Sequence, residues 1–202
     1  MMPATIPTMI AVTTRIPSVC QKWFLTRFHD LPSASVPRLP QVGEPAPDFA
    51  LPDETGTLHR LSEQHGRWTV VYFYPKDDTP GCTVEACQFR DAIPRLLERG
   101  ASVWGISPQG ARSKAAFRAK YELDFPLLAD EDHVVAERYG CWVEKQQYGR
   151  AYMGVARRTF LVDPEGRLAR VWERVTPDGH AAEVVAALEA AQASSSGAGG
   201  PA

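Results

Sequence analysis

The chain has 202 residues, 44% of them hydrophobic, which is enough for one domain with its own core and additional tails. Lys and Arg total 22 against 24 Asp and Glu, and a net charge of −2 gives no bulk attraction to nucleic acid or to an anionic membrane surface. Hydrophobic runs are shorter than the roughly 18 apolar residues of a membrane span. Four unevenly spaced cysteines do not resemble a disulfide-rich secreted scaffold, so we expect a reducing, cytoplasmic location with neither nucleic acid nor membrane as a partner.

The first part of the chain, residues 1–41, differs in composition from the rest. It is rich in proline, Ser, Thr and basic side chains, and Asp30 is its single acid. We expect a flexible extension or a start codon assigned too early; an organellar transit peptide, which would share this acid-poor composition, is the minor alternative. Cys20 lies in this segment and is given no predicted role.

The folded domain is predicted over residues 42–190. It begins with two short strands, 49–51 and 57–61, around a turn in which Gly56 supplies a positive φ. Residues 68–74 are apolar and β-branched and are followed by a proline, which is typical of a buried central strand. The Ser, Gly and Ala residues of 191–202 predict a flexible tail.

The remaining segments alternate between helix and strand patterns. Helices are predicted over 82–99, 113–121, 134–139 and 180–193, and strands over 102–106, 158–162 and 168–172. Pro94 lies inside the first helix and predicts a kink or a break there. This alternation predicts an α/β fold with a mixed sheet.

Cys82 is placed by this pattern in the first turn of a helix. Unpaired N–H groups and the positive end of the helix dipole stabilise an anion there, which favours a thiolate. Cys87 follows five residues later, and on an ideal helix the two Cα atoms would be roughly 8 to 9 Å apart. That separation exceeds the roughly 7 Å limit for a disulfide, so a disulfide would require the helix to unwind locally.

Three interpretations of this cysteine pair stay open on the residues alone. The two could be buried core side chains, because free cysteine is often buried. They could supply zinc ligands, although Cys141 and the scattered histidines offer no second pair. They could also form a redox-active pair; a thioredoxin-type oxidoreductase would instead require C-x-x-C at the helix start.

The residues around Cys82 resemble a known family. Pro75, Thr79 and Cys82 match the peroxiredoxin pattern P-x-x-x-T-x-x-C, and residues 79–87, TPGCTVEAC, resemble the bacterioferritin comigratory protein or peroxiredoxin Q subfamily. Further similar motifs at matching intervals extend the resemblance over roughly residues 42–190. They are GISP at 105–108, FPLLAD at 125–130, YGRAYMG at 148–154 and RRTFLVD at 157–163.

The resemblance implies a thioredoxin-like fold, with a central mixed sheet flanked by helices, and a thiol-dependent peroxidase for hydrogen peroxide and organic hydroperoxides. Cys82 would be the peroxidatic cysteine that becomes a sulfenic acid, and Cys87 the resolving cysteine of an intramolecular disulfide. Thr79 would hydrogen-bond the thiolate and the peroxide, and Pro75 would shield the pocket. Arg157 would lower the pKa of the Cys82 thiol.

Other expectations follow from the same resemblance. The family pattern selects Arg157 over the adjacent Arg158. Glu85 is expected either to modulate local proton transfer or to be a solvated helix carboxylate. Cys141 is expected to be a buried spectator. The reductant would be thioredoxin or a similar dithiol protein, with no metal, haem or flavin, and the protein a monomer or weak dimer. The alternative function is a peroxide-sensing redox switch that acts through a partner.

Overall fold

The computed structural model describes residues 38–147 and 149–197, and the predictions made for residues 1–37 and 198–202 lie outside this part of the chain. The strands are β1 (Ala50–Pro52), β2 (Leu58–Arg60), β3 (Trp68–Phe73), β4 (Ala101–Ser107), β5 (Leu127–Ala129), β6 (Trp142–Gln147), β7 (Arg150–Val155), β8 (Arg158–Val162) and β9 (Leu168–Trp172). The helices are α1 (Pro80–Glu98), α2 (Ala111–Tyr121), α3 (Val134–Arg138) and α4 (His180–Gly197), and a 3-10 turn spans Leu61–Gln64.

The central sheet has five strands in the order β5-β4-β3-β8-β9. β3 lies in the middle, parallel to β4 and antiparallel to β8, so the sheet is mixed. The hairpins β1–β2 and β6–β7 form two separate two-stranded sheets. The predicted α/β class, with a central mixed sheet flanked by helices, is confirmed.

All six residues of β3 are buried, as the apolar sequence of this segment predicts. Val70 and Tyr72 face one hydrophobic cluster, which also holds Phe89 of α1 and Val184 of α4. The alternate residues of β3, such as Phe73, face a second cluster that includes α3 and β1. The sheet therefore has a core on each side, and α1 packs on the first.

Pro94 does not break α1, so the break predicted there is wrong, while the alternative of a kink stays a prediction. The helix continues from Pro80 to Glu98 through this proline. A proline inside a helix removes one backbone donor, but Ile93 and Leu96 on either side are buried against the sheet. Burial of this apolar face outweighs the lost hydrogen bond.

Several element boundaries also differ from the predictions. β5 and the β6–β7 hairpin were not predicted as strands. β5 has only three residues, and the hairpin is largely polar. α4 continues to Gly197 instead of ending at residue 193, and within it Ser194 Oγ donates to the carbonyl of Ala190 at 2.9 Å. At the other end, Leu39 packs against the second core cluster, so ordered packing begins before residue 42.

Candidate active site

Cys82 is the third residue of α1 and lies where the loop after β3 enters the helix, as predicted. Thr79 is the N-cap, with an extended backbone (φ −104°, ψ 151°), and Pro80 follows in the first turn. The thiol is 1% exposed and belongs to the core cluster that contains Tyr72 and Phe89. The first helical turn thus holds a buried sulfur near the positive end of the helix dipole.

Arg157 brings its guanidinium to this thiol. Its Nη2 donates to Cys82 Sγ at 3.3 Å, and its Nη1 forms a salt bridge with Oε2 of Glu85. Sheet register explains the approach: Arg158 pairs with Phe73, the last residue of β3, so Arg157 lies just beyond the end from which the chain enters α1. The planar fork of one arginine can therefore contact both side chains.

Arg158 is directed elsewhere. Its Nη1 donates to the carbonyl oxygen of Gly140, on the loop that precedes β6. Of the two adjacent arginines, Arg157 is therefore the one that contacts Cys82, in agreement with the choice made from the family pattern.

Glu85 is completely buried, so the interpretation of this residue as a solvated helix carboxylate is wrong. Burial raises its pKa to about 7, although Arg157 opposes the shift by attraction and hydrogen bonding. Its Oε1 has no hydrogen-bond partner among the described groups. The site thus contains a carboxyl group that titrates near neutral pH beside the arginine that contacts the thiol.

Lys145 is a second cation near the thiol that the sequence analysis missed. It lies on β6 and its Nζ donates to the carbonyl oxygen of Val155 at 2.6 Å, two residues before Arg157. Burial lowers the pKa of Lys145, as does repulsion from Arg157, while Cys82 opposes the shift. Prediction of the β6–β7 hairpin would have been needed to find this residue.

The loop between β3 and α1 carries the two other predicted site residues. Pro75 is half-buried, directly beyond Tyr74. The Thr79 hydroxyl donates to the carbonyl of Lys76 at 3.1 Å, so its hydrogen is engaged within the loop while its lone pairs can still accept. The predicted hydrogen bond from Thr79 to a thiolate or a peroxide stays a prediction.

Asp78 gives this loop an unusual backbone conformation. Its φ is +53°, in the left-handed region that is uncommon for residues other than glycine. The carboxylate accepts from Lys120 Nζ at 2.8 and 2.9 Å and from the Tyr121 hydroxyl at 2.7 Å. The end of α2 thus contacts the loop from outside.

The other two cysteines of the described chain differ in accessibility. Cys87 is partly exposed on α1, and Cys82 and Cys87 are both free thiols within one continuous helix. Cys141 is fully buried with its Sγ 3.5 Å from the carbonyl oxygen of Tyr139, and burial raises the pKa of its thiol well above the usual range. The predicted burial of Cys141 is therefore observed, and its lack of a role stays a prediction.

Residues 38–147 and 149–197 lack the features of two other kinds of site. Among these residues, no group of three or more His, Cys, Asp or Glu side chains is arranged to hold a metal ion. In the same part of the chain, no helix combines the length and apolar character needed to cross a membrane.

Comparison with known proteins identifies the family. Residues 42–171 match the family model described as AhpC/TSA. The chain belongs to the AhpC/TSA family. It is 47% identical over 148 residues to the putative peroxiredoxin bcp of Coxiella burnetii, covering 73% of this chain and 98% of that protein. It is 42% identical over 149 residues to peroxiredoxin Bcp of Bacillus subtilis, covering 74% and 95%.

Solved structures of such peroxiredoxins are similar in fold. Peroxiredoxin Q of Xanthomonas campestris superposes with a TM-score of 0.68 at 39% identity, covering 70% of this chain and 90% of that chain. BcpB of Mycobacterium tuberculosis gives 0.67 at 38% identity, covering 76% and 98%. This chain is therefore a peroxiredoxin of the Bcp or peroxiredoxin Q type with a thioredoxin-like fold, and the predicted resemblance is confirmed. Its enzyme class is thiol peroxidase, which implies a peroxide substrate and a thiol reductant.

Proposed function

We propose that this peroxiredoxin reduces hydrogen peroxide and organic hydroperoxides through a sulfenic acid on Cys82. The observation that carries the proposal is the 3.3 Å contact between Arg157 Nη2 and Cys82 Sγ at the start of α1. A fixed cation and a helix N-terminus both favour the thiolate, which is the nucleophilic form of cysteine. The bacterioferritin comigratory protein of Xanthomonas campestris, 39% identical, is described as having alkyl peroxide reduction activity, which supports including organic hydroperoxides.

In the first step the Cys82 thiolate attacks one oxygen of the peroxide. The O–O bond breaks, an S–O bond forms to the oxygen that keeps its hydrogen, and the other oxygen leaves as hydroxide or alkoxide, which takes a proton from solvent to become water or an alcohol. Arg157 supports the step because its guanidinium can stabilise negative charge that moves from sulfur to the leaving oxygen. Thr79 accepts a hydrogen bond from the incoming hydroperoxide in this proposal, since its own hydrogen is donated to Lys76. Pro75 limits access of water to the sulfenic acid.

Glu85 sets the orientation of Arg157 in this proposal. Its Oε2 is paired with Nη1, which leaves Nη2 directed at sulfur. With a pKa of about 7, the carboxyl group can also exchange a proton at neutral pH. A buried residue of this kind can hold the arginine in one rotamer while the charge on sulfur changes.

In the second step Cys87 resolves the sulfenic acid. The Cys87 thiol gives up its proton and its sulfur attacks Cys82 Sγ; an S–S bond forms, the S–O bond breaks, and the hydroxyl of the sulfenic acid leaves as water with one proton, which balances the one that Cys87 lost. Two positions five residues apart on an ideal helix are roughly 8 to 9 Å apart, so the first turns of α1 must unwind. Unwinding would also withdraw Cys82 from Arg157.

The unwinding proposed here should stop at Gln88, which is attached to a neighbouring loop. Its side chain donates to Asp178 Oδ1 at 2.7 Å and accepts from the backbone N–H of Gly179 at 2.9 Å. Because Phe89 is fully buried one residue further along, the helix after Cys87 is attached to the body of the domain. The segment that melts would therefore comprise roughly the first two turns.

In the last step a dithiol protein of the thioredoxin type restores both thiols by disulfide exchange through a mixed disulfide. Every step is assigned to side chains of one chain, a peroxide and this reductant, so the cycle calls for neither a metal, haem or flavin nor a second subunit. A monomer or weak dimer is sufficient for it.

The test is NADPH consumption by the full-length protein with thioredoxin reductase, thioredoxin and either hydrogen peroxide or an organic hydroperoxide. Wild type should turn over steadily, and Cys82→Ser should not. Cys87→Ser should permit one oxidation and then stall. Full multiple turnover of Cys87→Ser with thioredoxin would contradict the resolving role.

The alternative of a redox switch makes a different prediction in the same assay. A switch that acts through a partner would form the disulfide between Cys82 and Cys87 when peroxide is added, without sustained consumption of NADPH. Mass spectrometry of the oxidised protein distinguishes this outcome from an enzyme that does not react at all.

A further inference from the structure

A lysine is buried beneath the loop that connects β3 to α1. Lys114 of α2 is 0% exposed. Its Nζ donates to Ser107 Oγ at 2.7 Å and to the Tyr74 hydroxyl at 3.4 Å, and it lies 3.7 Å from Oδ1 of Asp77. Neither the proposed chemistry nor the sequence motifs account for this cation.

Asp77 is the buried partner of Lys114 and lies in the middle of the loop. Its Oδ1 accepts from the Tyr74 hydroxyl at 2.7 Å and is 3.1 Å from Ser107 Oγ. The backbone N–H of Asp77 donates to Oε1 of Gln109 at 3.1 Å. Its other carboxylate oxygen, Oδ2, is buried without a hydrogen-bond partner among the described groups. The loop is therefore attached at its centre to the ends of β3 and β4 and to α2.

This buried ion pair is not explained by its contribution to the stability of the fold. Removing both charges from water costs more than an apolar pair would, and an imperfectly hydrogen-bonded buried pair contributes little net stability. What such a pair does supply is a defined geometry, because each charge must stay near the other. The segment whose geometry it defines contains Pro75 and Thr79, each two residues from Asp77.

We propose that Asp77 and Lys114 are positioning residues that hold the loop bearing Pro75 and Thr79 at the distance from Cys82 that peroxide binding requires. The inference rests on the proposed role of Cys82 and assigns these two residues a part in the reaction with peroxide. They do not touch the thiol, whose electrostatic partner is Arg157. Disruption of the pair should therefore impair peroxide reduction without changing the thiolate itself.

The charged groups around Lys114 should make the conformation of the loop depend on pH. The titratable or charged groups that face it are Asp77 from the loop, Tyr74 from β3, and Asp130 and Glu131 from the segment after β5. Burial lowers the pKa of Lys114 to about 8, opposed chiefly by Asp77. Above that pH Lys114 is neutral and Asp77 no longer has a charged partner, so the loop should loosen in alkaline solution.

The experiment compares two reactions of Cys82 in the reduced full-length protein. Rapid quenching and mass spectrometry of the Cys82 peptide give the rate constant with hydrogen peroxide and, separately, the rate constant and pH midpoint with iodoacetamide. In Lys114→Met the peroxide rate constant should fall about 10 to 100-fold, as displacement of a positioned group does. The iodoacetamide midpoint should not move.

Matched variants distinguish the loss of loop position from a general loss of positive charge and from a failure to fold. Arg112→Met removes an exposed cation from the same helix and should leave both reactions unchanged. The neutral pair Asp77→Asn with Lys114→Met should react with peroxide faster than Lys114→Met alone, because no unpaired carboxylate remains in the loop. If Lys114→Met does not fold, as judged by its circular dichroism melt, the double variant is measured in its place. Its rate constant with peroxide should then be lower than that of wild type.

The wild type alone also tests the inference. Between pH 7 and 9.5 its peroxide rate constant should decline relative to its iodoacetamide rate constant, with a midpoint near the Lys114 pKa. A constant ratio, a Lys114→Met variant that reacts with peroxide at the wild-type rate, or equal losses of that variant in both reactions would overturn the positioning role. A wild type whose Cys82 does not react with peroxide would overturn the proposed function, and this inference with it.

Discussion

Arg157 and Cys82 meet although 75 positions separate them in the chain, with Nη2 3.3 Å from Sγ. The contact exists because β8 runs antiparallel to β3 and its first residue pairs with the last residue of β3. The same strand end leads into α1, so the sheet delivers the cation and the thiol to one point.

Replacement of Arg157 by Met should reduce the rate constant of Cys82 with hydrogen peroxide about 100 to 1,000-fold, the range expected when a positioned donor is lost from a transition state. The rate of Cys82 alkylation by iodoacetamide at pH 7 should fall at the same time, because a cation that favours the thiolate is absent. Stopped-flow kinetics and iodoacetamide labelling measure the two effects.

Arg158→Met is the matched control for this experiment. It removes the same side chain from the next position, where the guanidinium contacts Gly140 rather than the thiol. It should lower the melting temperature while its peroxide rate constant stays near that of wild type. Equal kinetic losses in both variants would contradict the specific role of Arg157.

Glu85 should make stability depend on pH between about 4.5 and 7. Its pKa is raised from 4.5 to about 7 in the folded protein, so over this interval the folded state holds a proton that the unfolded state has released. The free energy of unfolding must therefore decrease as pH rises, by up to about 3 kcal/mol from this group. Below pH 4.5 the stabilisation is fully present, and above pH 7 it is lost.

Urea unfolding of wild type and Glu85→Gln at pH 5 and at pH 7.5 measures this effect. The difference in unfolding free energy between the two proteins should change with pH, in favour of Glu85→Gln at the higher value. Glu98→Gln, which alters an exposed carboxylate of the same helix, should follow wild type. Parallel pH profiles for wild type and Glu85→Gln would show that Glu85 is ionised throughout.

Cys141 should not react in the native protein. Its thiol is 0% exposed and its pKa is raised by burial, opposed by Arg158. Iodoacetamide followed by peptide mass spectrometry should modify Cys87 in the folded state and reach Cys141 only in denaturant. Cys141→Ala should cost about 1 kcal/mol of stability through the small cavity left behind and leave peroxide turnover unchanged; a loss of turnover without a loss of stability would argue for a direct role.

Gly105 should not tolerate a side chain. A Cβ at this position of β4 would lie 2.7 Å from the Tyr72 hydroxyl and 2.9 Å from a methyl group of Leu127, so one of these buried groups would have to move. Gly105→Ala should destabilise the protein by about 1 to 3 kcal/mol, measured as a lower urea midpoint. Ser102→Ala in the same strand adds no atom to the core and should have a smaller effect.

Local sequence determined much of the scaffold. The apolar run of β3, the proline after it and the turn residues between β8 and β9 act over a few positions, and each element formed where the pattern indicated. The placement of Cys82 in the first helical turn followed from the same local signals. The motif around it was sufficient to identify the family, because its residues are close together in the chain.

Tertiary structure decided the environment of these residues. Glu85 is a charged residue on a helix, and its burial depends on Arg157, which lies 72 positions away. Lys114 is buried for a similar reason, since Asp77 reaches it from the loop after β3 and Ser107 from the end of β4. A local pattern carries no information on which distant segment covers a side chain. The sequence alone therefore determined where the thiol lies on its helix, whereas long-range packing decided which charges surround it.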